Sequence, residues 1–160
     1  IRAGIFDKER NMMKIFDLLT ADRISILTTT KKKEALDTIA DLLATADTVK
    51  DPVELKKAVF DRENIISTSI GLGIAIPHVR LPSVTEMTIA VGVAKNGIEY
   101  QAFDDQPVNI IIMIAAPEGS HREYLSLLAK IALLLKNPML RKSILDARTP
   151  KDIYNVLKGH

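Results

Sequence analysis

The sequence predicts one α/β domain in which helices cover both faces of a mixed β-sheet. Residues 108–116 (VNIIIMIAA) form a nearly unbroken apolar run, which is typical of a central strand buried on both faces. The strand-like segments lie in the middle third of the chain, and segments with helical apolar spacing lie before and after them. Elements in that order are typical of a sheet with helices on both sides.

Length and composition indicate a globular chain that needs no covalent staple. A chain of 160 residues can bury about 70% of the surface that its unfolded form exposes. Cysteine is absent, which excludes disulfide frameworks, thiolate nucleophiles, zinc fingers and iron–sulfur clusters. Because the lack of disulfides is compatible with a reducing compartment, we expect a cytoplasmic protein.

Charge and hydropathy argue against two kinds of partner. The formal net charge is only +2, so a dedicated nucleic-acid binder is not expected. The longest uninterrupted apolar run, residues 110–116, is far shorter than the ~20 residues of a membrane-spanning helix. We therefore expect no nucleic-acid partner and no direct membrane insertion.

The first third of the chain predicts a short strand followed by two helices. Residues 23–27 alternate apolar and polar side chains, as strands do. The threonines at 28–30 are candidate N-caps for the helix that follows. Asp51 and Pro52 predict the start of a second helix, which ends near Asp61. The positions expected to face the core are Leu36, Ile39, Ala40, Leu43, Ala46, Leu55, Ala58 and Val59.

The middle third predicts strands at residues 74–76, 87–94 and 108–116, all rich in β-branched side chains. The Asn-Gly dipeptide at 96–97 separates the second of these strands from residues 98–100. Asn-Gly is a strong signal for a two-residue hairpin turn, so we expect the chain to reverse there.

The last third predicts three helices. Ser120 and Glu123 match a capping box at the start of the first, and the Asn-Pro step at 137–138 ends it. A short helix follows, and the Thr-Pro step at 149–150 opens the last helix, which ends before Gly159. The apolar side of the first helix is expected to consist of Leu125, Leu128, Ala129, Ala132 and Leu135.

Residues 1–12 are expected to be a leader or an artificial extension. Their scattered charges are unlike the apolar part of a signal peptide, and a cleaner pattern, MKIFDLL, begins at Met13. The domain is therefore expected at residues 13–160.

Residues 61–82 (DRENIISTSIGLGIAIPHVRLP) carry the densest signal for chemistry. Gly71 and Gly73 allow a tight turn and a close approach to the backbone. Pro77 constrains the chain around it, so His78 is expected at a stiff strand end, beside a loop, where another molecule can reach it.

Two nearby arginines, Arg62 and Arg80, could balance an anion bound at this histidine. The glycines lack the Gly-Lys-Ser/Thr sequence of a Walker loop and do not open a helix. Nucleotide binding is therefore not expected.

The motif R-E-x₄-T-x₂-G-x-G-x-A-x-P-H occurs in this chain at Arg62, Glu63, Thr68, Gly71, Gly73, Ala75, Pro77 and His78. It resembles the phosphorylation-site motif of enzyme IIA domains of the phosphotransferase system (PTS), in the fructose/mannitol class that includes the nitrogen-regulatory subgroup. Residues 102–132 are similar to the later strand, loop and helix of that family. The resemblance covers residues 13–160 and implies a mixed sheet flanked by helices.

The resemblance also implies a function for His78. In the family, a histidine at this position accepts a phosphoryl group from the phosphocarrier HPr or its nitrogen-branch counterpart. It passes the group to a IIB domain in sugar uptake, so the chain would be a phosphotransferase that works through a phosphohistidine without a cofactor or metal. In the regulatory subgroup, the phosphorylation state controls binding to transporters or kinases instead. An arginine at the position of Arg62 lies close to the phosphoryl site in such proteins.

The residue types suit this chemistry. A neutral imidazole is a good nucleophile, and an ordinary pKa of about 6.5 leaves much of it neutral at cytoplasmic pH. One ring nitrogen of His78 must keep its proton so that the other can attack. The guanidinium of Arg62 can bind two phosphoryl oxygens, and the hydroxyl of Thr68 could donate a further hydrogen bond.

Two positions depart from the family pattern. Tyr124 stands where the family usually has a second histidine, and Val79 stands where it commonly has glycine. His121 lies three residues before Tyr124, on the same helix face, so either side chain could take the place of the missing histidine.

Three functions remain open from the sequence. The first is a phosphoryl carrier in sugar transport, and the second is a regulatory module switched by phosphorylation of His78. The third, which has the least support, is a metal- or ligand-binding domain that uses His78 and His121.

Overall fold

A six-stranded mixed sheet forms the centre of the computed structural model, which describes residues 14–160. The predicted leader at residues 1–12 lies outside the described residues. The strands are β1 (Ile24–Ile26), β2 (Ser69–Gly71), β3 (Ile74–Ala75), β4 (His78–Leu81), β5 (Thr88–Ile98) and β6 (Val108–Pro117).

Strand β6 is paired along both edges and organises the sheet. The order is β1-β5-β6-β3-β2, and β4 also pairs with β6. Strand β5 is antiparallel to β6, whereas β3 and β4 run parallel to it, β3 beside its first half and β4 beside its second half. Ile76 and Pro77 connect β3 to β4 along this edge, which places His78 at the first residue of β4.

Five α-helices surround the sheet in residues 14–160: α1 (Lys32–Ala44), α2 (Pro52–Ile65), α3 (His121–Leu134), α4 (Pro138–Asp146) and α5 (Pro150–Leu157). Two short 3-10 turns, Ile15–Leu18 and Ala21–Arg23, precede β1. The side chains of Asp51, Asn137 and Thr149 each accept a hydrogen bond from the first turn of a helix that begins with proline. The sequence predicted these three helix starts correctly.

Alternate side chains of β6 enter two different cores. Ile111, Met113 and Ala115 pack on the side of α1 and α2, whereas Ile110, Ile112 and Ile114 pack on the side of α3, α4 and α5. All six side chains are buried, which explains the unbroken apolar run. The predicted fold, a mixed sheet with helices on both faces, is confirmed.

The predicted apolar side of α3 is only partly correct. Leu135 is buried as predicted and Leu128 and Ala132 are partly buried, but Leu125 and Ala129 are exposed. The buried residues within the helix are Tyr124, Leu127 and Ile131. The helix is rich in leucine on more than one side, so periodicity alone allowed two faces. Contact with the sheet selects the face that contains Tyr124.

The Asn-Gly dipeptide at 96–97 does not form the predicted hairpin turn. Strand β5 continues through it to Ile98, which pairs with Val108 after a register irregularity that begins at Val93. Gly97 has a φ of +81°, so its left-handed conformation serves a bulge inside the strand. The chain reverses later, between β5 and β6.

Three local predictions also need correction. The helix α1 begins after Lys31, whose backbone N–H donates to the hydroxyl of Thr29, so the threonine lies outside the N-cap position. The hydroxyl of Ser120 donates to the carbonyl of Pro117 instead of capping α3, so the capping box is not formed. Ala58 is only partly buried because it lines a cavity.

We predict that Gly92→Ala destabilises the protein, because α1 packs directly on β5 at this glycine. An added Cβ would lie 2.5 Å from Cδ1 of Ile39 and 2.9 Å from Cδ1 of Leu27, inside contact distance. Overpacking of this kind costs about 1–3 kcal/mol, measurable by urea denaturation. Gly119→Ala is the matched control, since its Cβ would meet no atom within 4 Å among the described residues. Equal stability of the two variants would contradict this account.

Candidate active site

His78 lies half-buried at the start of β4, where its backbone is held against β6. The carbonyl of Pro77 accepts a hydrogen bond of 2.9 Å from the backbone N–H of Ile114, which is also the register partner of His78. The side chain therefore projects from a residue that is fixed on the largely buried strand β6. The expected stiff strand end is the first residue of a new strand and not the last residue of the preceding one.

A short hydrogen bond sets the proton position on the imidazole. Nδ1 of His78 lies 2.6 Å from the carbonyl oxygen of Ile76. Because a carbonyl can only accept, Nδ1 must carry the proton and donate it. In the neutral ring this leaves the lone pair on Nε2. The sequence did not say which of the two ring nitrogens keeps the proton, and the structure assigns it to Nδ1.

The surroundings of His78 favour that neutral ring. Burial lowers the pKa of His78 below its usual value, and the positive charge of Arg62 lowers it further. The hydrogen bond to Ile76 and the charge of Glu63 act in the opposite direction without overcoming these effects. At neutral pH the imidazole is therefore uncharged.

An open cavity of about 370 Å³ adjoins His78. Arg62 enters it from the last turn of α2, where its guanidinium also donates to the carbonyl of Ile66 at 3.2 Å. Arg80 enters it from β4, and Glu118 supplies one negative charge at its border. The other lining residues are Ala58, Val79 and Tyr124. Two guanidinium groups beside a neutral imidazole suit a bound anion such as a phosphoryl group.

Tyr124 lies against His78 in this cavity. The two ring centroids are 5.5 Å apart with the planes tilted by 57°, and the Cζ atom of Arg80 lies 5.3 Å from the tyrosine centroid. Burial raises the pKa of Tyr124, although Arg80 and Arg62 oppose the shift. Its hydroxyl therefore stays protonated and can donate a hydrogen bond.

His121 reaches the site through Arg80. Nη1 of Arg80 lies 2.9 Å from Nδ1 of His121, so the guanidinium donates and Nδ1 accepts. His121 thus orients Arg80, while Tyr124 is the residue of this pair that lines the cavity. A positive charge bonded to Nδ1 also disfavours a metal ion on that nitrogen.

Thr68 does not line this cavity and lies in a buried polar cluster behind it. Its hydroxyl donates to Oε2 of Glu63 at 2.7 Å, so its proton is already used. Glu63 belongs to the sequence motif, yet sequence reasoning did not single it out as a site residue. Two further members of the cluster were missed entirely: Lys32, which pairs with Glu63, and Tyr100, whose hydroxyl bonds to Thr68. Both contacts join residues far apart in sequence, and nothing in the local pattern predicts them.

Residues 17–160 match the family model described as phosphoenolpyruvate-dependent sugar phosphotransferase system, EIIA 2. The chain belongs to this family. The resemblance found in the phosphorylation-site motif is thereby confirmed for nearly the whole described chain.

Relatives of this enzyme IIA domain occur in sugar-transport and in regulatory proteins. The chain is 37% identical over 149 residues to the PTS fructose-specific EIIABC component of Bacillus subtilis, which covers 92% of this chain but only 24% of that protein. It is 32% identical over 150 residues to a nitrogen regulatory protein of Bradyrhizobium diazoefficiens, covering 91% of this chain and 95% of the relative.

Solved structures share the fold. Nitrogen regulatory protein IIA-Ntr from Neisseria meningitidis superposes with a TM-score of 0.81 at 26% identity, covering 89% of this chain and 98% of that chain. The mannitol enzyme IIA of Escherichia coli, solved in complex with phosphorylated enzyme IIB, gives a TM-score of 0.75 at 20% identity, covering 89% and 98%. Among residues 14–160 of this enzyme IIA domain, no helix has the length and apolar character needed to cross a membrane.

We predict that Arg62→Gln raises the pKa of His78, because it removes a positive charge that disfavours the imidazolium. The change can be followed by an NMR titration of the His78 ring. Arg80→Gln is the matched control and should shift this pKa less, since its guanidinium is bonded to His121. An equal or larger shift in the control would show that Arg62 is not the dominant neighbouring charge.

Proposed function

We propose that the protein is a phosphohistidine carrier of the phosphotransferase system. Nε2 of His78 accepts the phosphoryl group from phosphorylated HPr or its nitrogen-branch homologue and passes it to a IIB domain in sugar uptake. The observation that supports this most directly is the Nδ1 hydrogen bond to Ile76, which leaves Nε2 with its lone pair beside two arginines. We propose a cytoplasmic location, where such a phosphoryl donor is available.

The chemical step is an in-line exchange of one P–N bond for another. The lone pair of Nε2 forms a bond to phosphorus, while the P–N bond of the donor phosphohistidine breaks and its electron pair returns to the donor imidazole. The proton on Nδ1 remains hydrogen-bonded to the carbonyl of Ile76, so no proton has to leave His78.

Stabilisation of the negative charge on the phosphoryl group is assigned to the two arginines that line the cavity. Arg62 and Arg80 can compensate the phosphoryl oxygens, and the protonated hydroxyl of Tyr124 can donate to one of them. His121 supports the site by holding Arg80. The hydroxyl proton of Thr68 is already bonded to Glu63 and is not free for the phosphoryl group. Thr68 is therefore assigned an indirect, supporting role.

A regulatory function is the second candidate. The chain covers 95% of a nitrogen regulatory protein, and the regulatory structure IIA-Ntr superposes with a TM-score of 0.81. Phosphorylation would add up to about two negative charges at His78, which is enough to change binding to a transporter or kinase. In this function no IIB domain would remove the group.

Phosphoryl transfer can be tested with radiolabelled phosphoenolpyruvate, enzyme I and HPr or their nitrogen-branch counterparts. We expect acid-labile label on the wild-type protein and none on His78→Ala. Release of label to a IIB domain supports the carrier function, whereas a labelled protein that no IIB domain discharges, but whose affinity for a transporter or kinase changes, supports regulation. A wild-type protein that stays unlabelled with every donor overturns both.

The site residues should rank in a defined order in the same assay. Arg62→Ala should slow labelling about 100-fold because it removes a charge that stabilises the transferring group. Tyr124→Phe and His121→Ala should each cost about tenfold or less, as expected for one hydrogen bond. If Tyr124→Phe were as severe as His78→Ala, the assigned roles would be wrong.

A further inference from the structure

Glu63 is a buried carboxylate whose charge the cavity around His78 does not use. It is only 6% exposed and lies near the end of α2, one residue after Arg62. Oε1 accepts from Nζ of Lys32 at 2.9 Å and from the backbone N–H of Thr68 at 3.0 Å, and Oε2 accepts from the Thr68 hydroxyl at 2.7 Å. A charge buried at this depth costs several kcal/mol unless it is fully bonded, so its retention calls for a reason.

Tyr100 extends these contacts into a network of four side chains. Its hydroxyl lies 3.0 Å from the hydroxyl of Thr68, whose proton goes to Glu63, so Tyr100 is the donor. Burial and the charge of Glu63 both raise the pKa of Tyr100, which keeps that proton in place. Nζ of Lys32 lies 4.4 Å from the centroid of the Tyr100 ring. We call Lys32, Glu63, Thr68 and Tyr100 the Glu63 network.

Backbone hydrogen bonds connect this network to the imidazole. The carbonyl of Thr68 accepts from the backbone N–H of Ile76 at 3.0 Å. The carbonyl of the same residue, Ile76, accepts from Nδ1 of His78 at 2.6 Å. Glu63 holds Thr68 by two hydrogen bonds, Thr68 holds Ile76, and Ile76 orients His78.

Sheet pairing with β6 holds the chain on either side of Ile76, but it leaves Thr68 outside the regular strands. Ile76 lies between the end of β3 and the start of β4, and the pairing of β2 with β3 is irregular at Ser69. Beyond it, the turn at residues 71–73 has positive φ at all three positions, including Leu72 at 59°. The two hydrogen bonds from Glu63 therefore add an attachment of Thr68 that sheet pairing does not supply.

We propose that Glu63 is a positioning residue for the chemistry of His78. Through Thr68 and Ile76 it fixes the direction of the imidazole and keeps the proton on Nδ1, so that Nε2 points its lone pair at the incoming phosphorus. This inference rests on the proposed function for its kinetic consequence, but the placement of the proton can be measured without any phosphoryl transfer.

Glu63→Gln is the most direct test, because it keeps the size of the side chain while removing its charge. The ¹⁵N NMR spectrum of the His78 ring should show the Nδ1–H tautomer in the wild type and a mixture of tautomers in the variant. The pKa of His78 should fall, since the carboxylate that favours the imidazolium is gone. Labelling should slow about tenfold or more at saturating donor, with little change in KM, because the donor-facing surface is unaltered.

Asp61→Asn is the matched control. Asp61 lies on the same helix, is exposed and pairs with Lys57, so the change removes one charge from α2 without touching the network. In this variant the tautomer and pKa of His78 and the labelling rate should equal those of the wild type. A control that behaved like Glu63→Gln would assign the effect to net charge and overturn the proposal.

A second pair of variants tests the network if Glu63→Gln fails to fold. Thr68→Val keeps the shape of the side chain but removes the hydroxyl, and should give the same mixture of His78 tautomers as Glu63→Gln. Thr68→Ser keeps the hydroxyl and should retain the wild-type tautomer and labelling rate. A folded Glu63→Gln or Thr68→Val protein that retains the wild-type tautomer and rate would overturn the proposal. If the wild type cannot be labelled at all, the proposed function fails, and the tautomer measurement still decides the role of Glu63.

Discussion

The hydrogen bond from Nδ1 of His78 to the carbonyl of Ile76 is the interaction on which the site depends. It decides which nitrogen carries the proton, limits rotation of the ring and leaves the lone pair on the other nitrogen. This bond can form because β6 pairs with β3 and β4 in turn, so that the residues between those two strands are held against a buried strand. A central strand that is covered on both faces thus serves the chemistry as well as stability.

The charges around the imidazole are arranged in two layers. On the cavity side, Arg62 and Arg80 are placed where they could bind an anion, and Glu118 also lines the cavity. Glu63 is buried, bonded to Lys32 and does not line the cavity, so it does not compete with a bound anion for the two arginines. Burial and Arg62 lower the pKa of His78, whereas Glu63 moderates that shift. The result is a neutral ring beside two guanidinium groups.

Tyr124 stands at the position where the resemblance to the family led us to expect a second histidine. A second histidine would titrate near neutral pH, whereas the pKa of a buried tyrosine is raised and its hydroxyl remains a donor over the physiological range. The ring also packs against His78 and under Arg80, so it contributes shape as well as a hydrogen bond. His121 keeps a place in the site by holding Arg80, so both residues considered from the sequence contact it in different ways.

The sequence by itself determined the fold class, the family, the helix starts with proline and the position of His78, because each depends on local patterns of residue type along the chain. It misjudged the buried face of α3 and the role of the Asn-Gly dipeptide at 96–97, since a leucine-rich helix and a flexible dipeptide each permit two structures that only packing against the sheet can separate. Only the tertiary structure decided which ring nitrogen carries the proton and which side chains surround Glu63. The bond between His78 and Ile76 joins residues two positions apart, but it depends on how β3 and β4 pair with β6. The contacts of Lys32 with Glu63 and of Thr68 with Tyr100 join residues more than thirty positions apart, and no spacing in the sequence encodes them.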